Sequence, residues 1–150
     1  MRGLIIRANY FYSKDVRKST WPDDIDKYRN FDKSGEEFRN IINVWTCVEK
    51  GDKEQYLKSL VKRIKELNEQ FYKLNHIVIL PFAHLSNKLA HPKKVRELLS
   101  KLLVLLRKEQ FEVDIISFGT HKDLKLEIPA QPAEVSYFEF PYCGKKPKTK

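Results

Sequence analysis

His76-Ile77-Val78-Ile79-Leu80-Pro81-Phe82-Ala83-His84-Leu85-Ser86 decides the reading of this chain. Its first five residues form an apolar, β-branched run of the length of a buried strand. The run ends in a proline-containing turn that carries His84. A second strand-like run, Glu112-Val113-Asp114-Ile115-Ile116, leads into Phe118-Gly119-Thr120-His121-Lys122, and a carboxylate follows at Pro132-Ala133-Glu134. Imidazole, ammonium and carboxylate at strand ends are the ingredients of a polar site on a rigid scaffold.

Outward from that stretch, the pattern predicts an α+β domain. Residues 3–10 read as a first strand and residues 11–35 as a long polar loop without a clear period, in which Trp21 either packs the loop down or meets a partner. Residues 38–49 are rich in β-branched and aromatic types and read as a second strand closed by Gly51-Asp52. Over 53–74, Leu57, Leu60, Val61, Ile64, Leu67, Phe71 and Leu74 recur at threes and fours, which predicts an amphipathic helix. Pro92 suits the first turn of a second helix running to about Glu109, with Val95, Leu98, Leu99, Leu102, Leu103 and Leu106 as its buried stripe. Residues 111–118, 121–128 and 133–140 read as further strands. Strands without regular strand–helix alternation point to α+β rather than a doubly wound sheet.

Composition narrows the class. With 150 residues the chain is one domain's worth, expected to span 1–142, with 143–150 as a basic tail or linker. No apolar run approaches the roughly 20 residues of a membrane span, and the first residues lack a signal-peptide pattern, so a cytoplasmic protein is expected. Cys47 and Cys143 have no metal-type spacing and read as free thiols; neither metal nor cofactor is expected. The net charge of +9 remains +5 without Lys145, Lys146, Lys148 and Lys150, so the partner is either a polyanion or absent, the lysines being a solvated surface. There is no Gly-x-Ser-x-Gly elbow, no His-Glu-x-x-His zinc signature and no glycine-rich phosphate loop among the five glycines.

Pro81-Phe82-Ala83-His84-Leu85-Ser86, Val48-Glu49-Lys50, Leu89-Ala90-His91-Pro92, Phe118-Gly119 with Lys122 and Lys125, and Pro132-Ala133-Glu134 occur in an order and spacing that carry a resemblance. The chain is similar, over most of its length, to the N-terminal editing domain of archaeal threonyl-tRNA synthetases, a relative of the D-aminoacyl-tRNA deacylases. The resemblance implies a deacylase-like fold, with helices packed on a mixed β-sheet, and hydrolysis of L-seryl-tRNA mischarged by threonyl-tRNA synthetase. It implies the aminoacylated 3′ end of a threonine tRNA as partner, a homodimer, and a synthetase body in the same or a companion chain. A D-aminoacyl-tRNA deacylase of the same fold and a tRNA-binding module without catalysis are the alternatives.

Read from the residues alone, His84 is either a pocket residue or a core histidine satisfied by backbone, Lys122 a site ammonium or one of many surface lysines, and Glu134 a site carboxylate or a strand-edge one. The resemblance selects the first of each. It implies Lys122 as the catalytic lysine that polarises a carbonyl or holds a water, His84 as a shaper of the pocket, and Glu134 as the carboxylate that holds Lys122 or the substrate amine. It also places Pro81, Phe82, Ala83, Val48 and His121 around the substrate and terminal adenosine, and makes the tRNA's own 2′-hydroxyl a participant. The sequence departs from the family pattern in three places: Thr120-His121 where two tyrosines are usual, Arg7-Ala8-Asn9 where a His-Ser-Asp type segment ends the first strand, and Ile128-Pro129-Ala130-Gln131-Pro132 in place of a Cys-Lys-Gly-His-Pro stretch. His76 and His91 are expected to be structural.

The terminal lysines generate a first prediction. Each phosphate contact contributes about 0.7 to the salt slope for single strands and about 0.9 for duplex. Deleting residues 145–150 flattens the salt dependence of tRNA affinity by at most about 3–4 units and leaves amino-acid selectivity at saturating tRNA unchanged. An unchanged slope rejects a tRNA contact by the tail; changed selectivity places the tail in the pocket.

Overall fold

The computed structural model describes residues 1–141; Cys143 and the terminal lysines lie outside the described residues. Six strands and two helices run in the order β1 (Arg2–Lys18), β2 (Glu36–Cys47), α1 (Glu54–Leu67), β3 (His76–Pro81), α2 (Pro92–Lys108), β4 (Glu112–Ile115), β5 (Thr120–Glu127), β6 (Val135–Glu139). The strands form one sheet in the order β4-β3-β2-β1-β5, with β6 also paired to β1. β1 is antiparallel to β2, β5 and β6, whereas β2–β3 and β3–β4 are parallel. The two parallel steps are the two that a helix bridges, because a parallel return needs a crossover. The result is the mixed α+β architecture expected of the sequence.

β1 is longer than the sequence predicts. It continues through residues 11–18, so the irregular segment covers only residues 19–35. The strand changes parity near its middle. Ile6 and Ala8 face one apolar layer, and Phe11 then joins that same layer. The switch falls where Ala8 pairs with Ile41 and Tyr10 with Arg39, and where Asn40 takes a left-handed conformation at φ 52°. From there Phe11, Ser13 and Asp15 all point inward and are buried.

The sheet separates two cores. On one face Ile5, Ile42, Val44, Ile77 and Ile79 meet the buried stripes of both helices, including Leu60, Ile64, Leu102 and Leu106. Fully burying each such side chain is worth about 1.5–3 kcal/mol. On the other face Ile6, Ala8, Phe11, Ile41, Val78, Leu80 and Ile116 form a smaller layer, edged by Trp45, Phe82 and Leu126. α1 ends at Leu67, earlier than its apolar stripe suggests, and gives way to a π turn over Asn68–Tyr72. The Asn68 side chain explains the stop. It donates to Leu74 O and accepts from Leu74 N, both at 2.9 Å, and Lys73 takes the left-handed cap conformation. Tyr72 is thereby buried, and its hydroxyl donates to Ala133 O at 2.6 Å; burial pushes its pKa up to about 12.

Residues 19–35 are pinned rather than loose. Ser19 N donates to Gly119 O, Arg29 donates to Ser19 O at 2.6 Å, and Asp24 meets the His91 ring, which also packs edge-on against Tyr28. The other nitrogen of His91 caps α2 by accepting from Lys93 N. Gly119 is required where it stands: its φ is +80°, and a Cβ there would lie 2.7 Å from Ile25 Cγ1.

At the far end of the sheet, Glu49 accepts from Arg2 Nε at 3.0 Å and from Ser86 Oγ at 2.6 Å, with the Met1 amine at 3.2 Å. Burial works to raise its carboxyl, but these donors outweigh it and hold Glu49 down at about 2, from an ordinary value of 4.5. A depressed carboxylate contributes stability that is fully present above its ordinary value and is lost as pH falls toward its folded value. Thermal melts of the chain therefore hold steady at neutral pH and drop as pH falls from about 4.5 to about 2. In Glu49→Gln the melting temperature is lower at neutral pH and that acid drop is shallower; parallel curves for the two proteins reject the assignment.

Candidate active site

The parity of β1 brings Asp15 to Lys122. The two are cross-strand partners in the β1–β5 ladder, just before an irregularity between Asp15 and Arg17 that leaves Val16 exposed. Bulges of this kind re-aim neighbouring side chains. Lys122 Nζ donates to Asp15 Oδ1 at 2.6 Å, and both side chains are interior, 8% and 4% exposed. The lysine also bonds Thr120 Oγ1, and Ser117 Oγ at 3.3 Å. Those hydroxyls in turn donate to Asp15, Thr120 to Oδ1 and Ser117 to Oδ2, each at 2.9 Å. The Asp32 amide completes the set at 3.0 Å. Burial pushes the Asp15 carboxyl up, but the bonds from Lys122, the Asp32 amide, Thr120 and Ser117 prevail and leave it below the ordinary carboxylate range.

A cavity of about 410 Å³ opens beside this cluster. Asp15 and Ser117 form part of its wall, Tyr28, Asn30 and Asp32 come from the 19–35 segment, and Arg96 from α2. Glu36, on the same wall, is held above the ordinary range by burial and by the charges of Asp114, Asp32 and Asp15, with Lys122 opposing. A volume of this size suits a small ligand.

Residues 81–86 form a second group at the β2 and β3 ends. Pro81 pairs with Thr46, Phe82 N donates to Thr46 O at 2.9 Å, and Cys47 Sγ lies 4.0 Å from Ala83 O. The Phe82 ring packs on Trp45 with centroids 4.7 Å apart, and His84 meets the Phe82 ring edge-on at 5.1 Å. Ala83 and His84 are exposed, while Val48 is in the core and its carbonyl accepts from Ala90 N. Cys47 is not poised as a nucleophile: burial first, and the Glu49 charge next, push its thiol up to about 11.

The structure thus brings some expected site residues together and separates others. Phe82 borders the same apolar layer as Leu126, which lies on the β5 face that carries Lys122. Glu134 is near neither His84 nor the lysine by any hydrogen bond or ion pair among the described residues. Its carbonyl accepts from Arg7 N at 2.8 Å, next to the turn fixed by Tyr72. The carboxylate that holds Lys122 is Asp15, not Glu134. His121 is exposed and pairs with Arg17 along the ladder. Asp15 lies 107 positions from Lys122, in a segment whose sequence reads as loop; the alternation of Phe11, Ser13 and Asp15 is the signal that marks it. Among the described residues, His76, Glu112 and Asp114 could hold a metal, with ligand atoms within 4.8 Å of one another; His76 already bonds Asp114 at 2.6 Å.

Two of the departures from the family pattern are linked through Glu134, which accepts from Arg7 N at 2.8 Å and donates from its own amide to Gln131 O of the 128–132 stretch at 3.4 Å. The third keeps a hydroxyl: Thr120 bonds both Asp15 and Lys122.

Comparison with known proteins places this geometry. Residues 1–137 match the model of the archaea-specific editing domain of threonyl-tRNA synthetase. Relatives named threonine–tRNA ligase include those of Staphylothermus marinus, 33% identical over 88% of this chain and 21% of the relative, and Thermococcus kodakarensis, 32% identical over 91% and 22%. That of Nanoarchaeum equitans is 31% identical over 91% of this chain and 21% of its own length. The chain therefore spans about a fifth of these relatives. Among solved structures, the c-Myc DNA Unwinding Element Binding Protein superposes with a TM-score of 0.65, covering 95% of this chain and all of its own, at 12% identity. That likeness concerns the fold alone, which is the D-aminoacyl-tRNA deacylase-like fold. The chain belongs to the archaea-specific editing-domain family of threonyl-tRNA synthetase.

Proposed function

We propose that the chain is an aminoacyl-tRNA deacylase that hydrolyses L-seryl-tRNA made in error by threonyl-tRNA synthetase. The observation that carries this reading is the interior Lys122 ammonium, fixed on β5 beside a cavity and standing where the family's lysine stands. The need is energetic. Serine lacks threonine's methyl, and one methylene in a pocket discriminates by only about 1–3 kcal/mol. A second site must therefore remove serine and spare threonine, by excluding the methyl or by misplacing the attacking water.

The ester is already activated, so the protein supplies position and charge. Water attacks the carbonyl carbon, the C–O bond to the terminal ribose breaks, and the ribose hydroxyl leaves with a proton. Lys122 faces the developing oxyanion or orients the water. All three of its N–H groups are spent in the free protein, and the contact of 3.3 Å to Ser117 is the weakest to exchange for substrate. The half-buried Trp45–Phe82 pair, edged by His84, offers an aromatic platform for the terminal adenosine, as stacking on aromatic faces does for unpaired bases. His84 shapes that end, and Pro81 and Ala83 line its approaches, whereas Val48 is in the core and His121 is exposed beside Arg17. Glu134 serves the substrate amine rather than the lysine. No cofactor is required. The tRNA and a synthetase body are the partners, and the domain pairs as a homodimer.

The saturated hydrogen bonding of Lys122 also favours a competing reading, a tRNA-binding module without catalysis, and the shared fold keeps D-aminoacyl esters as a third. One assay separates them. Deacylation of seryl-, threonyl- and D-aminoacyl-tRNA is followed under single turnover; the expected result is much faster loss of the seryl ester. Lys122→Met slows it by about 10²–10³-fold while the fold survives. Equal, near-uncatalysed rates for seryl and threonyl esters sink the editing reading, and a folded Lys122→Met at full rate removes the lysine from the mechanism.

A further inference from the structure

We propose that Asp15 is the positioning residue for Lys122, and that through the Asp32 amide it couples the 19–35 segment to the lysine. The proposal rests on the deacylase reading above. Four donors from three parts of the chain converge on this one carboxylate: Lys122 and Thr120 from β5, Ser117 from the stretch before it, and the Asp32 amide from the 19–35 segment. The two hydroxyls donate to Asp15 and so turn their lone pairs toward Lys122. Asp15 thus sets the direction of all three ammonium donors, one directly and two through Ser117 and Thr120.

Charge leads to the same assignment. The acidic groups near the pair are Asp32 and Glu36, and neither bonds the lysine; the Arg17–His121 pair follows along the ladder. Without Asp15, the interior ammonium is left with no bonded counter-charge. Asp15 also stands on the wall of the 410 Å³ cavity with Tyr28 and Asn30, so a shift of the 19–35 segment is felt at the lysine through a single amide.

The test measures single-turnover deacylation of seryl-tRNA against tRNA concentration in the full chain, Asp15→Asn, Lys122→Met and the double variant. Asp15→Asn is expected to lower the rate by up to about 10²-fold, as a small misplacement of a catalytic group does, with the concentration of tRNA giving half-maximal rate unchanged. Because Asp15 acts through Lys122, the double variant should be no slower than Lys122→Met alone. Losses that multiply in the double variant, or a loss expressed in the half-maximal tRNA concentration rather than in the rate, overturn the proposal. Nitrogen-15 NMR of lysine side chains supplies a readout that needs neither activity nor a folded variant. The parent should show a slowly exchanging Lys122 ammonium, and its absence overturns the positioning role. If that signal is present but Lys122→Met keeps full rate, the catalytic reading of the lysine fails while its placement by Asp15 stands.

Discussion

β1 is hydrogen-bonded along both edges, to β2 on one side and to β6 and then β5 on the other. Its registers therefore fix where three other strands stand. The constraint that matters most is its change of parity beside Asn40. In a strand, side chains alternate strictly between faces, so a switch at one point exchanges the inward and outward sets beyond it. Without the switch, Tyr10, Tyr12 and Lys14 would face the smaller apolar layer. With it, Phe11 closes that layer and Asp15 arrives opposite Lys122.

A buried ion pair is weak evidence for stability, because desolvation offsets much of the attraction, whereas removing one partner costs about 3–5 kcal/mol. The Asp15–Lys122 pair is best understood through what it orders. Every lone-pair direction of the carboxylate is used and every donor of the ammonium is used. Such a fully satisfied network holds one geometry in preference to others.

How much of this was legible in the sequence depended on how local the signal was. The His76–Leu80 run, the leucine stripes of both helices and Pro92 at the start of α2 each declare themselves within a few residues, and the structure has them. The second half of β1 did not, since Tyr12, Lys14 and Arg17 dilute an alternation that only the partner strands complete. The end of α1 was missed because Asn68 competes for the backbone with a side chain, which an apolar stripe does not reveal. For the site, the glycine turn before Lys122 and the Pro81–His84 turn were readable as motifs. The partner of Lys122 was not, because one aspartate among many acidic residues gains meaning only from pairing across the sheet.

The departures from the family pattern are understandable on the same terms. Thr120, where a tyrosine is usual, is a shorter side chain that still presents a hydroxyl to the lysine. The altered first-strand segment bonds Glu134 through Arg7, and Glu134 bonds Gln131 of the altered 128–132 stretch, so a change in one alters the surroundings of the other. Neither pair of changes breaks the ladder that carries Lys122. The apolar layer of Ile6, Ala8, Ile41, Val78 and Leu80 underlies both the Trp45–Phe82 platform and the β5 face. It is close-packed, and such cores transmit displacement rather than absorb it. The spacing between the Trp45–Phe82 platform and the β5 face is thus set by that layer, and the divergent residues at its margins can change the surface around it while leaving this spacing in place.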